Sequence, residues 1–186
     1  MSNQGSSVKL ARPEDISTVR RGIIRAIVVI IVVFPLGYMF TPTRGIQLNS
    51  VVERLVFTLQ WQALSMLTLV YGIHGVGSRR AGTAAMDPIT GNSEDVVKFE
   101  AKFLQNTIEQ LILSIFGQLV LCTHLTDSTP RVIPVLVCLF VVGRVLFWIG
   151  YKKAPLERAT GFAMTFFPSL IVNFVNVVFL VYNLTY

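Results

Sequence analysis

Long apolar runs alternate with short polar segments along the 186-residue chain. Five such runs stand out, at about residues 23–40, 55–76, 99–123, 132–151 and 159–182. Each is close to the roughly 20 residues that an α-helix needs to cross the hydrocarbon core of a bilayer. The pattern therefore predicts five membrane-spanning helices, and Pro35 with Gly37 predicts a kink in the first of them.

The composition supports an all-α integral membrane protein in contact with the lipid bilayer. Hydrophobic residues make up 53% of the chain and charged residues only 14%, whereas about 25% of the residues in soluble domains are charged. The chain shows no basic patch interleaved with base-stacking aromatic residues, which argues against a nucleic-acid partner. The two histidines and two cysteines are scattered singly and form no metal-binding motif.

The chain divides into three predicted parts. Residues 1–20 are polar and predict a flexible cytosolic tail, with a turn at residues 13–15. Residues 21–50 hold an extra N-terminal transmembrane helix and its loop, and residues 51–186 form a four-helix core. We find no internal repeat, which disfavours a transporter built from inverted repeats.

The formal net charge of +6 indicates the orientation of the chain in the membrane and contact with anionic lipid. Basic residues are concentrated in the N-terminal tail, in residues 77–98 and in residues 152–158, and they are sparser in the other two loops. Because basic loops stay in the cytosol, this distribution predicts a cytosolic N-terminus and a C-terminus on the far side.

Three polar residues share one face of the third span. Lys102, Asn106 and Glu109 are spaced by four and then three residues, so they occupy a wedge of about 60° on a helix that turns about 100° per residue. Charged side chains inside a bilayer usually face a bundle interior or a hydrated cavity. We therefore expect this wedge to face a neighbouring helix or a polar pocket.

The fourth and fifth spans carry three further candidates at a similar depth. Arg144 and Tyr151 are seven residues apart on the fourth span, and Arg158 opens the fifth. With the predicted orientation, all six polar residues lie near the cytosolic side and can line one pocket. Cations around a carboxylate suit a small anionic ligand that also bears an amine. A cation also lowers the pKa of a nearby thiol, so a peptide thiol fits as well.

A purely structural role for the same residues stays open. Polar side chains within membrane spans also hold helices together through interhelical hydrogen bonds. Under that interpretation, Glu109 and Arg144 form a plain ion pair between the third and fourth spans.

The spacing of these residues resembles that of the MAPEG family, the membrane-associated proteins in eicosanoid and glutathione metabolism. The family carries Arg-x-x-x-Asn-x-x-Glu on its second helix, an Arg with a Tyr seven residues later on its third, and an Arg near the start of its fourth. The resemblance covers roughly residues 50–186 and rests on residues 102–110, Gly143-Arg144, Tyr151, Ala154-Pro155 and Arg158. The extra first helix, together with residues 160–168, looks closest to the mattrin-like branch of the family.

The resemblance implies a four-helix core, a homotrimer and an endomembrane location. It also implies that glutathione is the cofactor, bound near the cytosolic face by Lys102, Asn106, Glu109, Arg144 and Tyr151. Arg158 would be the catalytic residue, which stabilises the glutathione thiolate from the adjacent subunit.

Three positions depart from the family pattern. Lys102 replaces an arginine and loses its bidentate fork, Phe147 stands where well-known enzymes have Tyr or His, and Gln110 stands where one branch has Tyr. Two functions therefore remain. The first is a glutathione-dependent transferase or peroxidase that acts on a lipophilic electrophile. The second is a non-catalytic membrane regulator of trafficking or signalling, in which the polar residues only hold the bundle together.

Overall fold

The computed structural model describes residues 12–41, 48–87, 89, 94–126, 129 and 131–185. Within these ranges the chain forms five long helices: α1 (Pro13–Phe40), α2 (Val51–Arg80), α3 (Lys98–His124), α4 (Val132–Lys153) and α5 (Ala159–Thr185). Two short 3-10 turns, Ala84–Met86 and Glu94–Val97, lie between α2 and α3. All five helices are long and apolar enough to cross a bilayer, so the predicted five-span, all-α class is confirmed.

Helix α1 begins ten residues earlier than its apolar run. Pro13 occupies its first turn together with Glu14 and Asp15. A proline at the first helical position and acidic residues near the positive end of the helix dipole both favour a helix start. The turn predicted at residues 13–15 is therefore wrong, because the same residues open a helix. Residues 1–11 of the predicted tail lie outside the described residues.

Helices α2 to α5 form a bundle, and α1 lies outside it against α5 and α4. Helix α1 packs closely on α4 and α5 because small residues lie at the contact. Ala26 is fully buried beside Val135 and Ala163, and a Cβ atom on Gly22 would lie only 2.8 Å from the Cβ of Ala159. The extra helix therefore rests directly on the start of α5, which follows the loop that carries Arg158.

Helix α2 shows an inverted amphipathic pattern that suits a bilayer. Its buried residues include Thr58, Gln62, Ser65 and Thr68, which follow one face of the helix, whereas large apolar residues such as Leu67 are exposed. In a membrane the exposed apolar face contacts lipid, and the polar face finds its hydrogen-bond partners on other helices. The bundle core is thus partly polar along its whole length.

Helices α4 and α5 form a tight hairpin around the residues 154–158. A Cβ atom on Gly161 would overlap the backbone nitrogen of Phe147, so only glycine allows this separation between the two helices. The same hairpin brings Thr165 of α5 against Arg144 of α4. It therefore fixes the position of Arg158 relative to Tyr151 at the end of α4.

Candidate functional site

Arg144 lies at the centre of a hydrogen-bonded cluster between three helices. Its side chain is 1% exposed. Its Nη1 donates to Oδ1 of Asn106 on α3 at 2.8 Å, and its Nη2 donates to Oγ1 of Thr165 on α5. The guanidinium also lies over the ring of Phe147, 4.7 Å from the ring centroid. Arg144 and Asn106, which the sequence analysis assigned to one site, are thus in direct contact.

Lys102 and Glu109 lie beside Asn106 on the outward side of α3, where both are exposed. The Nζ of Lys102 donates to Oε1 of Gln105 at 3.4 Å, and Nε2 of Gln105 donates to Oε1 of Glu109 at 3.2 Å. Arg144 takes Asn106 and Thr165 as partners, so the ion pair between Glu109 and Arg144 considered above is not formed. Within one chain, Lys102 and Glu109 are therefore separate from the Arg144 cluster.

Arg158 and Tyr151 lie together at the α4–α5 hairpin. The guanidinium carbon of Arg158 is 4.8 Å from the centroid of the Tyr151 ring and 5.9 Å from that of Phe147. The Tyr151 ring packs in turn against Phe99, with 4.7 Å between centroids. Stacking on aromatic faces holds the arginine in place and leaves its exposed N–H groups available for an anion.

A buried carboxylate that the sequence analysis missed lies nearby. Glu100, in the first turn of α3, is 5% exposed, and its Oε1 lies 3.0 Å from Nε of Arg79 at the end of α2. A signal was present in the sequence, because Glu100 shares a helix face with Phe103 and Thr107, which are also buried. The basic residues at 77–98 indicate only orientation from the sequence, and no spacing pattern pairs Arg79 with a residue on another helix.

Glu100 and Tyr151 belong to one cavity of about 440 Å³ at this end of the bundle. It is an open cavity bordered by the ends of α2 and α4, the 3-10 turn Glu94–Val97 and the start of α3. Its lining consists of Arg79, Asp95, Val96, Phe99, Glu100, Tyr151 and Lys152. Two acidic and two basic side chains thus meet around an aromatic wall. Of the six residues predicted from the sequence, only Tyr151 lines this cavity.

A second, larger cavity adjoins the first within the membrane-spanning region. It has a volume of about 520 Å³, opens between α2 and α4, and is lined mainly by apolar residues, including Leu67, Val142 and Trp148. The ring of Trp148 lies 4.9 Å from that of Phe99, a residue of the charged cavity. An aromatic wall therefore separates a charged cavity from an apolar one.

These features define a class of protein: a polytopic helical membrane protein with a partly polar core and a mixed-charge cavity at one end. The sequence profile of the MAPEG family matches residues 58–178. The chain belongs to the MAPEG family, and the family resemblance of the sequence analysis is confirmed. Helix α1 lies outside the matched residues.

Individual relatives agree with this assignment. The chain is 26% identical to Transmembrane protein 79 of Mus musculus over 167 residues, which cover 88% of this chain and 41% of that protein. It is 27% identical to Transmembrane protein 79 of Bos taurus over 134 residues, which cover 72% of this chain and 34% of that one. An uncharacterized protein of Synechocystis sp. is 32% identical over 119 residues, which cover 61% of this chain and 83% of that protein.

The likeness to the mattrin-like branch, which rests on the extra first helix and residues 160–168, is thereby confirmed, since Transmembrane protein 79 is mattrin. The chain spans less than half the length of these two relatives. No solved structure matches the chain.

Proposed function

We propose that the protein binds glutathione at the charged end of the bundle and acts as a glutathione-dependent transferase or peroxidase on a lipophilic electrophile. The observation that carries this proposal is the cavity in which Arg79, Lys152, Asp95 and Glu100 surround Tyr151. A tripeptide with two carboxylates and one ammonium requires both signs of charge within a small space. Charged hydrogen bonds to such groups are stronger than neutral ones.

Each predicted contact follows from the chemistry of the lining residues. Arg79 is only partly used by Glu100, because its side chain remains largely exposed, so its guanidinium can also bind a ligand carboxylate. Lys152 lies over the Trp148 ring at 4.5 Å and offers a second cation. Asp95 and the carboxylate of Glu100 suit the ligand ammonium, and Tyr151 supplies a hydroxyl to orient it.

The outward face of α3 completes the proposed site in an assembly of several copies. Lys102 and Glu109 are exposed on a helix that crosses the membrane, and charges facing lipid are unfavourable. A second copy packed on this face would shield them and bring them toward the ligand, which favours the homotrimer implied by the family. Asn106 lies at the edge of the same face, and Arg158 of a neighbouring copy would stabilise the thiolate.

The apolar cavity between α2 and α4 suits the lipophilic second substrate. It is reached from the bilayer, since several lining residues such as Leu67 and Val142 are exposed. Only the rings of Trp148 and Phe99 lie between this cavity and the charged one, so the two substrates would bind close to each other. The cytosolic orientation of this end and the endomembrane location stay predictions from the charge distribution and the family.

A second candidate, a non-catalytic membrane regulator, is favoured by a different observation. Arg144 is completely buried and its hydrogen bonds join α3, α4 and α5. For Arg144 and Asn106 a structural role is sufficient, as expected for polar residues that connect helices in membranes. The two functions differ in whether a thiol peptide binds.

The deciding measurement is the thermal stability of the detergent-purified protein with and without millimolar glutathione. Binding to the folded state alone raises the melting temperature by mass action. We expect Lys152→Gln to reduce this rise and Lys153→Gln to preserve it, because Lys153 is an exposed neighbour outside the cavity. The absence of any rise, together with the absence of conjugation of a generic electrophile, contradicts the enzyme proposal and leaves the regulator.

A further inference from the structure

A small, partly enclosed cavity lies between α3, α4 and α5, away from the charged end. Its volume is about 10 Å³, which is at the lower limit of about 10–15 Å³ for one water molecule. Four of its lining side chains are polar and come from two helices: Ser114 and Gln118 from α3, and Thr165 and Ser169 from α5. All four are at least 95% buried.

Two hydroxyl groups at this cavity lack partners within the protein. Oγ of Ser114 accepts a hydrogen bond from Nε2 of Gln118 at 2.8 Å. Among the residues that the structure describes, the Ser114 hydroxyl hydrogen has no acceptor, and the Ser169 hydroxyl has no partner at all. An unsatisfied polar group inside the hydrocarbon region is strongly unfavourable. Two donors therefore need acceptors at this point.

The cavity also offers an acceptor of its own. Pro168 lines it and lies inside α5. Because proline has no N–H group, the carbonyl of Met164, four residues earlier, receives no helical hydrogen bond from it. Met164 lines the same cavity. Proline within membrane helices is tolerated where side chains or ordered water satisfy the freed carbonyl.

We propose that one water molecule binds in this cavity, accepts hydrogen bonds from Ser114 and Ser169, and donates one to the Met164 carbonyl. A water molecule has two lone pairs and two hydrogens. Its lone pairs accept from the two serine hydroxyls, one hydrogen is donated to the Met164 carbonyl, and the second hydrogen points to the Thr165 side chain. Buried waters typically make about three hydrogen bonds to otherwise unsatisfied groups. The site is therefore complete with a single water.

The bound water joins two clusters that are otherwise separate. On one side, Arg144 connects Asn106 with Thr165. On the other side, Gln62 of α2 donates to Gln118 at 2.9 Å, and Gln118 donates to Ser114. Through the water, one hydrogen-bonded column follows α3 from Asn106 to Gln118, about 18 Å along the helix axis. The water thereby links α2 to the Arg144 cluster, whether or not a peptide binds at the charged end.

Radiolytic labelling of the full chain in nanodiscs, in water labelled with heavy oxygen, tests this proposal. Hydroxyl radicals formed from a bound water oxidise the side chains that contact it. Met164 is 0% exposed and lines the cavity, whereas Cys122 is 1% exposed and lies elsewhere. We expect rapid heavy-oxygen incorporation at Met164 and little at Cys122, although both residues are almost completely buried.

Two variants identify the cavity as the source of the label. Ser169→Val removes a hydroxyl and fills the space, so labelling of Met164 should fall about tenfold, the effect of one lost hydrogen bond on water occupancy. Ser114→Ala removes the other hydroxyl without added bulk and serves where Ser169→Val does not fold, as judged by helical circular dichroism. Equal labelling of Met164 and Cys122 in the parent protein overturns the proposal, as does unchanged Met164 labelling in a folded variant.

Discussion

The two faces of α3 differ in where their polar side chains find hydrogen-bond partners. The inward face carries Asn106, Gln110, Ser114 and Gln118. All four are half-buried or buried, and three of them are bonded to side chains of other helices, as in the pair of Asn106 with Arg144 at 2.8 Å and the pair of Gln118 with Gln62 at 2.9 Å. This face finds most of its side-chain partners within a single chain, and it sets the order of the helices around α3.

The outward face carries Lys102, Gln105 and Glu109, and its side-chain hydrogen bonds stay on α3 itself. All three residues are exposed, although the helix is apolar enough to cross a membrane. Charged groups in such a position need shielding by protein or by a ligand. The inward face therefore connects α3 to other helices of the bundle, whereas the outward face makes no side-chain hydrogen bond to another helix among the described residues.

The largest expected effect comes from breaking the inward face at Arg144. Arg144→Met keeps much of the volume but removes the donors to Asn106 and Thr165. Because two charge-assisted hydrogen bonds are lost and one acceptor stays buried, we expect the free energy of unfolding to fall by about 3 kcal/mol. Equilibrium unfolding in mixed micelles measures it. Glu109→Gln, on the outward face, is the control. An equal loss of unfolding free energy in both variants would show that the two faces contribute equally to folding.

The sequence predicted the spans better than the contacts. Hydropathy places each helix because a bilayer demands long apolar segments, whereas the wedge that periodicity assigns to Lys102, Asn106 and Glu109 is divided in the structure between a buried and an exposed side of α3. Periodicity alone does not say which neighbour a face contacts. Asn106 thus meets Arg144 while Glu109, only three residues later, turns outward. The Arg79–Glu100 pair was missed for the same reason, since its members lie on different helices.

A smaller effect is expected further along the inward face, at the amide pair. Gln118→Leu leaves the buried amide of Gln62 without its acceptor, so we expect a loss of about 1–2 kcal/mol in unfolding free energy. The double variant, Gln62→Leu with Gln118→Leu, removes both polar groups and should recover to within about 0.5 kcal/mol of the parent. A double-mutant cycle in mixed micelles measures this coupling. Additive losses would show that the two amides do not stabilise each other.

The smallest effect on folding is expected on the outward face. Glu109→Gln should change the unfolding free energy of one chain by no more than about 0.5 kcal/mol, as for most exposed substitutions. Its effect should instead lie in association, because a neutral amide faces lipid more readily than a carboxylate, and shielding by a second copy then gains less.

Energy transfer between labelled copies in vesicles measures that association. Glu94→Gln, which neutralises an exposed carboxylate on the 3-10 turn before α3, is the matched control. Weaker association for Glu109→Gln and unchanged association for Glu94→Gln would place the outward face between copies. Equal association in both variants would remove Lys102 and Glu109 from the proposed glutathione site, because nothing else within the described chain brings these two residues to the charged cavity. The cavity lined by Tyr151 and Glu100 would then have to bind the peptide alone.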